Sequence, residues 1–425
     1  MFRTMGEGTS VNPATRPLGR GKDRGNPRMV YLGIDVPLLL SVVTLLIIGL
    51  VFVYSASYDF SREWYGDPYA MIQRQVLFLA GGLVVVGILT FVDYHLWQRV
   101  AVPAMIATLG LLLLVLVIGE VRNSAIRTLL GGSVQPSELA KLITVIYLAV
   151  WLYSKRDSLS DISIGIIPLG VILGLVGGLI YLQPDVSAVL TILILGGTMF
   201  FLAGGDWRQI LFLLLLGSLV GWGIVKLSAT GSERIEMYWA GVLNPMDASY
   251  HVRRSLEAFV NGGWFGLGIG KAQTKLTGLP VPPTDSIFAV IGEETGFIGA
   301  LVVIGLYVTL LWRALAVATR APDGLGALLA GGLGVWVSLE AFINMSVMMN
   351  LLPVAGNALP FISAGGSNLI MSLVAVGILF NISRQTVQQK EENGRQFSAV
   401  VDLRRGDGGR GISRARRSRR NERAG

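Results

Sequence analysis

Long apolar runs separated by short polar connections occupy most of this chain. A helix needs about 20 mostly apolar residues to cross a bilayer. Ten stretches have that character: 34–55, 72–92, 101–119, 137–154, 163–182, 185–203, 209–227, 286–312, 325–352 and 367–383. The predicted fold is therefore an all-α polytopic integral membrane protein with about ten transmembrane helices. Gln183-Pro184-Asp185 interrupts the run 163–203 and reads as a tight turn between two helices. The first run follows a long basic stretch and has no small-residue cleavage site after it, so it reads as an anchor and not a signal peptide.

Composition agrees: 52% of the 425 residues are hydrophobic, 15% are charged and the mean hydropathy is +0.61. A soluble chain carries about a quarter charged residues. The absence of cysteine excludes disulfides and thiolate metal sites, and the two histidines, His95 and His251, argue against a histidine-built zinc site. The net charge of +8 is better read as membrane orientation than as nucleic-acid binding, because 24 of the 35 Lys and Arg residues lie in the tails and the connections on their side. Both termini are thus expected in the cytoplasm, with 56–71, 120–136, 228–285 and 353–366 facing outward. The domain reading is a basic cytoplasmic tail (1–30), a membrane domain (31–386) with one large external loop (228–285), and a disordered basic cytoplasmic tail (387–425).

The unusual polar motifs lie in or beside the outward connections. Leu279-Pro-Val-Pro-Pro-Thr-Asp285 puts a single acid where the long polar loop enters an apolar run. A carboxylate there suits either chemistry on a lipid head group or an N-cap. Asn261 to Gly270 holds five glycines in ten residues, which suits an amide nest for phosphate or close backbone packing. Lys271 and Lys275 follow. Gln135-Pro-Ser-Glu-Leu-Ala-Lys141 opens the fourth run, and Glu138 and Lys141, three apart, share a helix face. Ionisable residues inside spans usually pair or face an internal cavity.

These motifs, with Val53-Tyr-Ser-Ala-Ser57, Arg74-Gln75, Asp93-Tyr94, Gln183-Pro-Asp185, Glu293-Glu294, Phe342-Ile-Asn344, Leu359-Pro-Phe-Ile-Ser363 and Gly365-Gly-Ser367, occur in an order and spacing that is very specific. From about residue 31 to 386 the chain resembles the SEDS family, the FtsW, RodA and SpoVE group of cell-wall polymerases. Lys275-Leu276, Asn381-Ile-Ser-Arg384 and the long basic tails lean towards its division members. The resemblance implies a multi-pass protein of the bacterial cytoplasmic membrane. It would polymerise lipid II into glycan strands outside that membrane, beside a class B penicillin-binding transpeptidase and other divisome membrane proteins. The family's essential aspartate falls on Asp285, its motif Glu and Lys on Glu138 and Lys141, and its loop arginine on Arg127. Four positions depart from the family pattern: Pro283 for His, Ala364 for Tyr, and Arg254 and Glu340 for Gln.

Polymerisation with inversion requires a base for the attacking sugar hydroxyl and positive charge for the leaving pyrophosphate. Asp285 suits the first role; Arg127, Lys275 and Arg74 suit the second. Glu138, Lys141, Glu294 and Ser367 complete the expected substrate-binding set. A divalent ion at Asp285 stays open: pyrophosphate and hard oxygen ligands suit magnesium or manganese, and the sequence contains no dedicated metal cage. Alternative readings are an elongation polymerase, a flippase for lipid-linked precursor with Glu138, Lys141, Asp185 and Glu340 as its relay, and a non-catalytic division scaffold.

Overall fold

The computed structural model describes residues 33–118, 120–122, 125–128, 135–227 and 229–406, with side chains at 118, 120–122, 125–128, 214, 224, 227, 229–230 and 393–406 outside the described set. The expected tail 1–30 and residues 407–425 lie outside it.

Each of the ten apolar runs coincides with a helix. They are α1 (Val36–Tyr65), α2 (Ala70–Phe91), α3 (Leu96–Ile118), α4 (Pro136–Lys155), α5 (Ile166–Tyr181), α6 (Val186–Leu202), α7 (Trp207–Leu227), α10 (Ile287–Arg320), α11 (Gly324–Met348) and α12 (Gly366–Gly406). Among the described residues, seven helices are long and apolar enough to cross a membrane, while α5, α6 and α7 supply shorter apolar helices. Large side chains such as Leu77, Val117 and Leu215 are 71%, 82% and 64% exposed. Hydrocarbon solvates such a surface and water does not.

Acidic and hydroxyl caps start several helices by accepting an otherwise unpaired amide. Asp35 accepts from Leu38 N at 3.1 Å, Asp185 from Ala188 N at 3.3 Å, and Asp323 from Gly326 N at 2.7 Å. The Asp185 cap makes Gln183-Pro-Asp185 the expected turn between α5 and α6. Asp35 also takes Arg313 Nε at 2.9 Å, which ties the start of α1 to the far part of α10. On the same face of the bundle, Asn381 of α12 accepts from Tyr94 N and donates to Thr90 O, both at 3.0 Å. In the most apolar window of each helix, 72% of α11 is buried against 17% of α2, so α11 is central and α2 peripheral.

Three connections differ from the sequence expectation. The stretch 120–136 contains an antiparallel pair, β1 (Glu120–Arg122) and β2 (Ala125–Thr128). The large connection 228–285 is substantially helical, with α8 (Ala229–Leu243) and α9 (Tyr250–Gly262). Finally, α12 runs to Gly406, beyond the boundary expected at 386.

Candidate active site

Asp285 lies on the short connection into α10, and the helix N-cap falls on the next residue, Ser286. Three backbone anchors hold this connection. Asn344 Nδ2 of α11 donates to Asp285 O at 2.9 Å, Ser363 Oγ donates to Thr284 O at 2.7 Å, and Ala364 N donates to Pro283 O at 2.8 Å. Asn344 also donates to Asn357 O at 2.6 Å, so one amide joins the Asp285 segment to the 349–365 loop. The anchors act on backbone carbonyls. The half-buried Asp285 side chain lies beside Gly356, where an added Cβ would come 3.5 Å from Oδ2. Val281 and Phe361, on the two segments that meet here, adopt positive φ of 39° and 68°. That conformation is costly for branched and bulky residues and persists only where the surroundings enforce it.

The predicted Glu138–Lys141 pair forms, and it is larger than expected. Lys141 Nζ donates to Glu138 Oε1 at 2.8 Å and to Glu340 Oε1, with all three side chains nearly inaccessible. Trp336 Nε1 donates to Glu340 at 3.0 Å, and Asn368 Nδ2 reaches Glu138 at 3.0 Å and Glu340 at 3.3 Å. Removing one partner from a buried set of this kind leaves uncompensated charge. Glu340 and Asn344 are one helical turn apart on one face of α11. A single helix face therefore holds both the Lys141 cluster and the Asp285 backbone. Gln135 N donates to Ser367 Oγ at 2.9 Å, Gln135 Nε2 donates to Ser137 Oγ at 3.0 Å, and Ser137 Oγ donates to Asp185 Oδ2 at 3.4 Å. Ser367 thus ties the start of α12 to the start of α4.

The Gly-rich segment turns inward. Helix α10 is broken at Gly296 (φ 71°), which frees backbone groups on both sides of the break. Leu267 N and Gly268 N donate to Glu293 O and Glu294 O, both at 3.0 Å, while Phe297 N donates to Gly263 O at 2.8 Å. An added Cβ at Gly262 or Gly266 would lie 2.2 Å from the carbonyl oxygen of Gly292 or Glu294. The glycines therefore permit close backbone packing; the Gly268 amide goes to α10, while those of Gly263 and Gly266 bond back to Phe259 O and Gly262 O. Lys275 and Glu294, both expected to contact substrate, are instead buried in the same joint. Lys275 Nζ donates to Glu294 Oε1 at 2.9 Å and to the Ser55 carbonyl and hydroxyl at 3.0 Å. Glu293 accepts from the amides of Gln273 at 3.0 Å and Thr274 at 3.2 Å. Burial of both carboxylates inside the protein leaves them as loop anchors, a pairing across 19 residues that local spacing did not reveal.

Of the remaining expected residues, Arg74 is exposed and stacks over Tyr65, with its guanidinium carbon 5.2 Å from the ring centre. Arg127 belongs to β2, with its side chain outside the described residues. Among the described residues, no group of three or more His, Cys, Asp or Glu side chains converges as a metal site. A cavity of 540 Å³ opens beside the site, lined by Tyr181, Leu190, Ile194, Ile343, Leu352 and Ala355 among others, and bounded by Arg234. Arg234 Nη1 donates to Val354 O at 3.4 Å. Ala355 and Asn357 line the cavity, and Gly356 between them lies beside the Asp285 carboxylate, so the cavity and Asp285 share the 355–357 segment.

A family profile described as "Cell cycle protein" and covering FtsW, RodA and SpoVE matches residues 36–388. The chain belongs to the FtsW/RodA/SpoVE family. A probable peptidoglycan glycosyltransferase FtsW from Geobacter sp. (strain M18) is 39% identical over 358 residues, covering 83% of this chain and 97% of the relative. Stage V sporulation protein E of Bacillus subtilis (strain 168) is 37% identical over 358 residues, covering 82% and 96%. A chain from a peptidoglycan synthase complex superposes with a TM-score of 0.69 at 28% identity, covering 84% of this chain and 100% of its own. RodA of Thermus thermophilus, a rod shape determining protein, superposes with a TM-score of 0.62 at 26% identity, covering 84% and 98%. Within this family the chain is FtsW-like, and it is a multi-pass membrane protein.

Proposed function

We propose that this chain is a peptidoglycan glycosyltransferase of the division type, polymerising lipid II at the outer face of the bacterial cytoplasmic membrane. One observation carries the reading: a half-buried carboxylate, held through its backbone, lies against the 353–357 segment that lines a largely apolar cavity. A lipid-linked sugar needs that juxtaposition, with hydrocarbon on one side and a base on the other. Asp285 accepts the proton of the acceptor hydroxyl as its oxygen bonds to the donor's anomeric carbon. The bond from that carbon to pyrophosphate breaks, and its electron pair leaves with the polyprenyl pyrophosphate. A positioned base contributes typically about 10²–10⁴-fold. Arg234 beside the cavity joins Arg74 and Arg127 as candidates to meet the leaving charge. The Glu138–Lys141–Glu340 cluster braces the cavity wall and α11 beneath Asp285.

Clustering of the ionisable residues towards the outer face argues against the flippase alternative and its relay of Glu138, Lys141, Asp185 and Glu340, with Glu340 the main exception. Its partner Lys141 lies five residues into α4, about 7.5 Å from the helix start at 1.5 Å per residue, which draws Glu340 into the cluster near Asp285. The peptidoglycan synthase complex among the structural relatives supports a class B transpeptidase as partner. The test is purified protein, with and without its cognate transpeptidase, given lipid II and scored for glycan polymer. Polymer formation supports the reading. Movement of lipid II across sealed vesicles without polymer contradicts it.

A further inference from the structure

His251 lies in the first turn of α9 and points at the start of α10. Its Nε2 is 2.6 Å from Ser286 Oγ, which is in turn 2.5 Å from the carbonyl oxygen of Pro280. A hydroxyl has one proton, and a carbonyl can only accept. Ser286 therefore donates to Pro280 and accepts from His251, which assigns the proton to Nε2.

The arrangement costs Ser286 its usual task. A serine at an N-cap ordinarily gives its oxygen to an amide two or three residues on, yet Ser286 makes no side-chain cap bond. Its fully buried hydroxyl instead joins the two ends of the segment 280–286, which carries Asp285 next to the closing serine.

We propose that His251 is a positioning residue for Asp285: its Nε2–H orients the Ser286 hydroxyl that clasps the 280–286 loop. The proposal rests on the reading of Asp285 as the base in lipid II polymerisation. Burial holds the His251 ring below its ordinary pKa, so the neutral imidazole is the resident form at neutral pH. Glutamine can present an amide N–H where Nε2–H stands; leucine cannot.

The test compares His251→Gln, His251→Leu and Ser286→Ala in full-length protein, with lipid II as substrate and thermal unfolding in detergent measured alongside. A displacement of about 1 Å at a reacting group costs about 10²-fold. The expected result is a kcat loss of that order in His251→Leu and Ser286→Ala with little change in KM, near-normal kcat in His251→Gln, and no further loss in the His251→Leu/Ser286→Ala double variant. Full kcat in a folded His251→Leu protein overturns the proposal. So does a result in which both loss variants unfold while His251→Gln restores stability without restoring kcat, since that confines the clasp to folding. Absence of polymer from the unaltered protein contradicts the polymerase reading, whereas an active parent with a full-rate His251→Leu contradicts only the clasp.

Discussion

At Lys141 one ammonium stands between two buried carboxylates, Glu138 and Glu340. The set therefore holds two acids against one ammonium. Lys141→Ala strands both acids together and is expected to cost about 3–5 kcal/mol, the range for breaking a buried pair by removing one partner. Glu340→Gln keeps an acceptor for Trp336 and Lys141 and leaves Glu138 to pair the ammonium, so it is expected to cost less than Lys141→Ala. Unfolding of the two variants in detergent checks this, and equal damage from both would contradict it. On the opposite face, His95 has Nδ1 2.7 Å from Asp93 Oδ1 and Nε2 2.9 Å from Asp323 Oδ2. Carboxylates accept, so both nitrogens donate and the ring is held as an imidazolium. Partial burial opposes that charge, but the two acids outweigh it and raise the pKa of His95 above 6.5. Burial likewise opposes ionisation of Asp93, yet the hydrogen bonds from Gln385 and His95 pull it from 3.8 to about 2. The Asp93 contribution is present above 3.8 and lost as pH falls through about 2. The His95 contribution is present below 6.5 and lost as pH rises through its raised value. Stability from this cluster is thus expected to be greatest between about pH 4 and 6.5. Its decline on the alkaline side should vanish in His95→Gln, as read by melting temperature against pH.

Between α9 and α10 the joint depends on missing side chains. Gly262→Ala would put a Cβ 2.2 Å from Gly292 O, with backbone on both sides and no room to relax, whereas at Gly305, also in α10, nothing lies within 4 Å. Gly262→Ala should therefore lower the melting temperature and the polymerisation rate, while Gly305→Ala should be neutral or gain about 0.5–1 kcal/mol from the better helix former. Parallel melting curves and glycan assays decide this, and equal behaviour of the two would contradict it. The same joint marks where sequence reading stops. Every spanning-length helix was legible because hydrophobic runs report burial in hydrocarbon whatever the neighbours. The Glu138–Lys141 pair was legible because i,i+3 spacing is local. The inward turn of Lys275 and Glu294 was not, since it depends on the break at Gly296. Nor was Glu340 as a third member of the cluster, for its contact with Lys141 spans 199 residues. The clasp of His251 on Ser286 requires α9, an amphipathic helix inside a connection read as a polar loop.

For the whole molecule, the bias of Lys and Arg predicts both termini in the cytoplasm and α8, α9 and Asp285 outside. The cysteine-free chain permits a direct check. Met246, 70% exposed between α8 and α9, and Lys390, exposed on α12, are suitable sites. In intact cells Met246→Cys should react with an impermeant thiol reagent and Lys390→Cys should not; the reverse pattern would invert the orientation. The central claim is chemical, and Asp285→Asn tests it most directly. Its three backbone anchors come from Asn344, Ser363 and Ala364 and do not use the carboxylate, so the variant should fold and bind its transpeptidase normally. It removes the basic oxygen at nearly constant size. The account predicts a folded, partner-bound protein that makes little or no glycan from lipid II. Near-normal polymer from well-folded Asp285→Asn protein would contradict the assignment of Asp285 as the base.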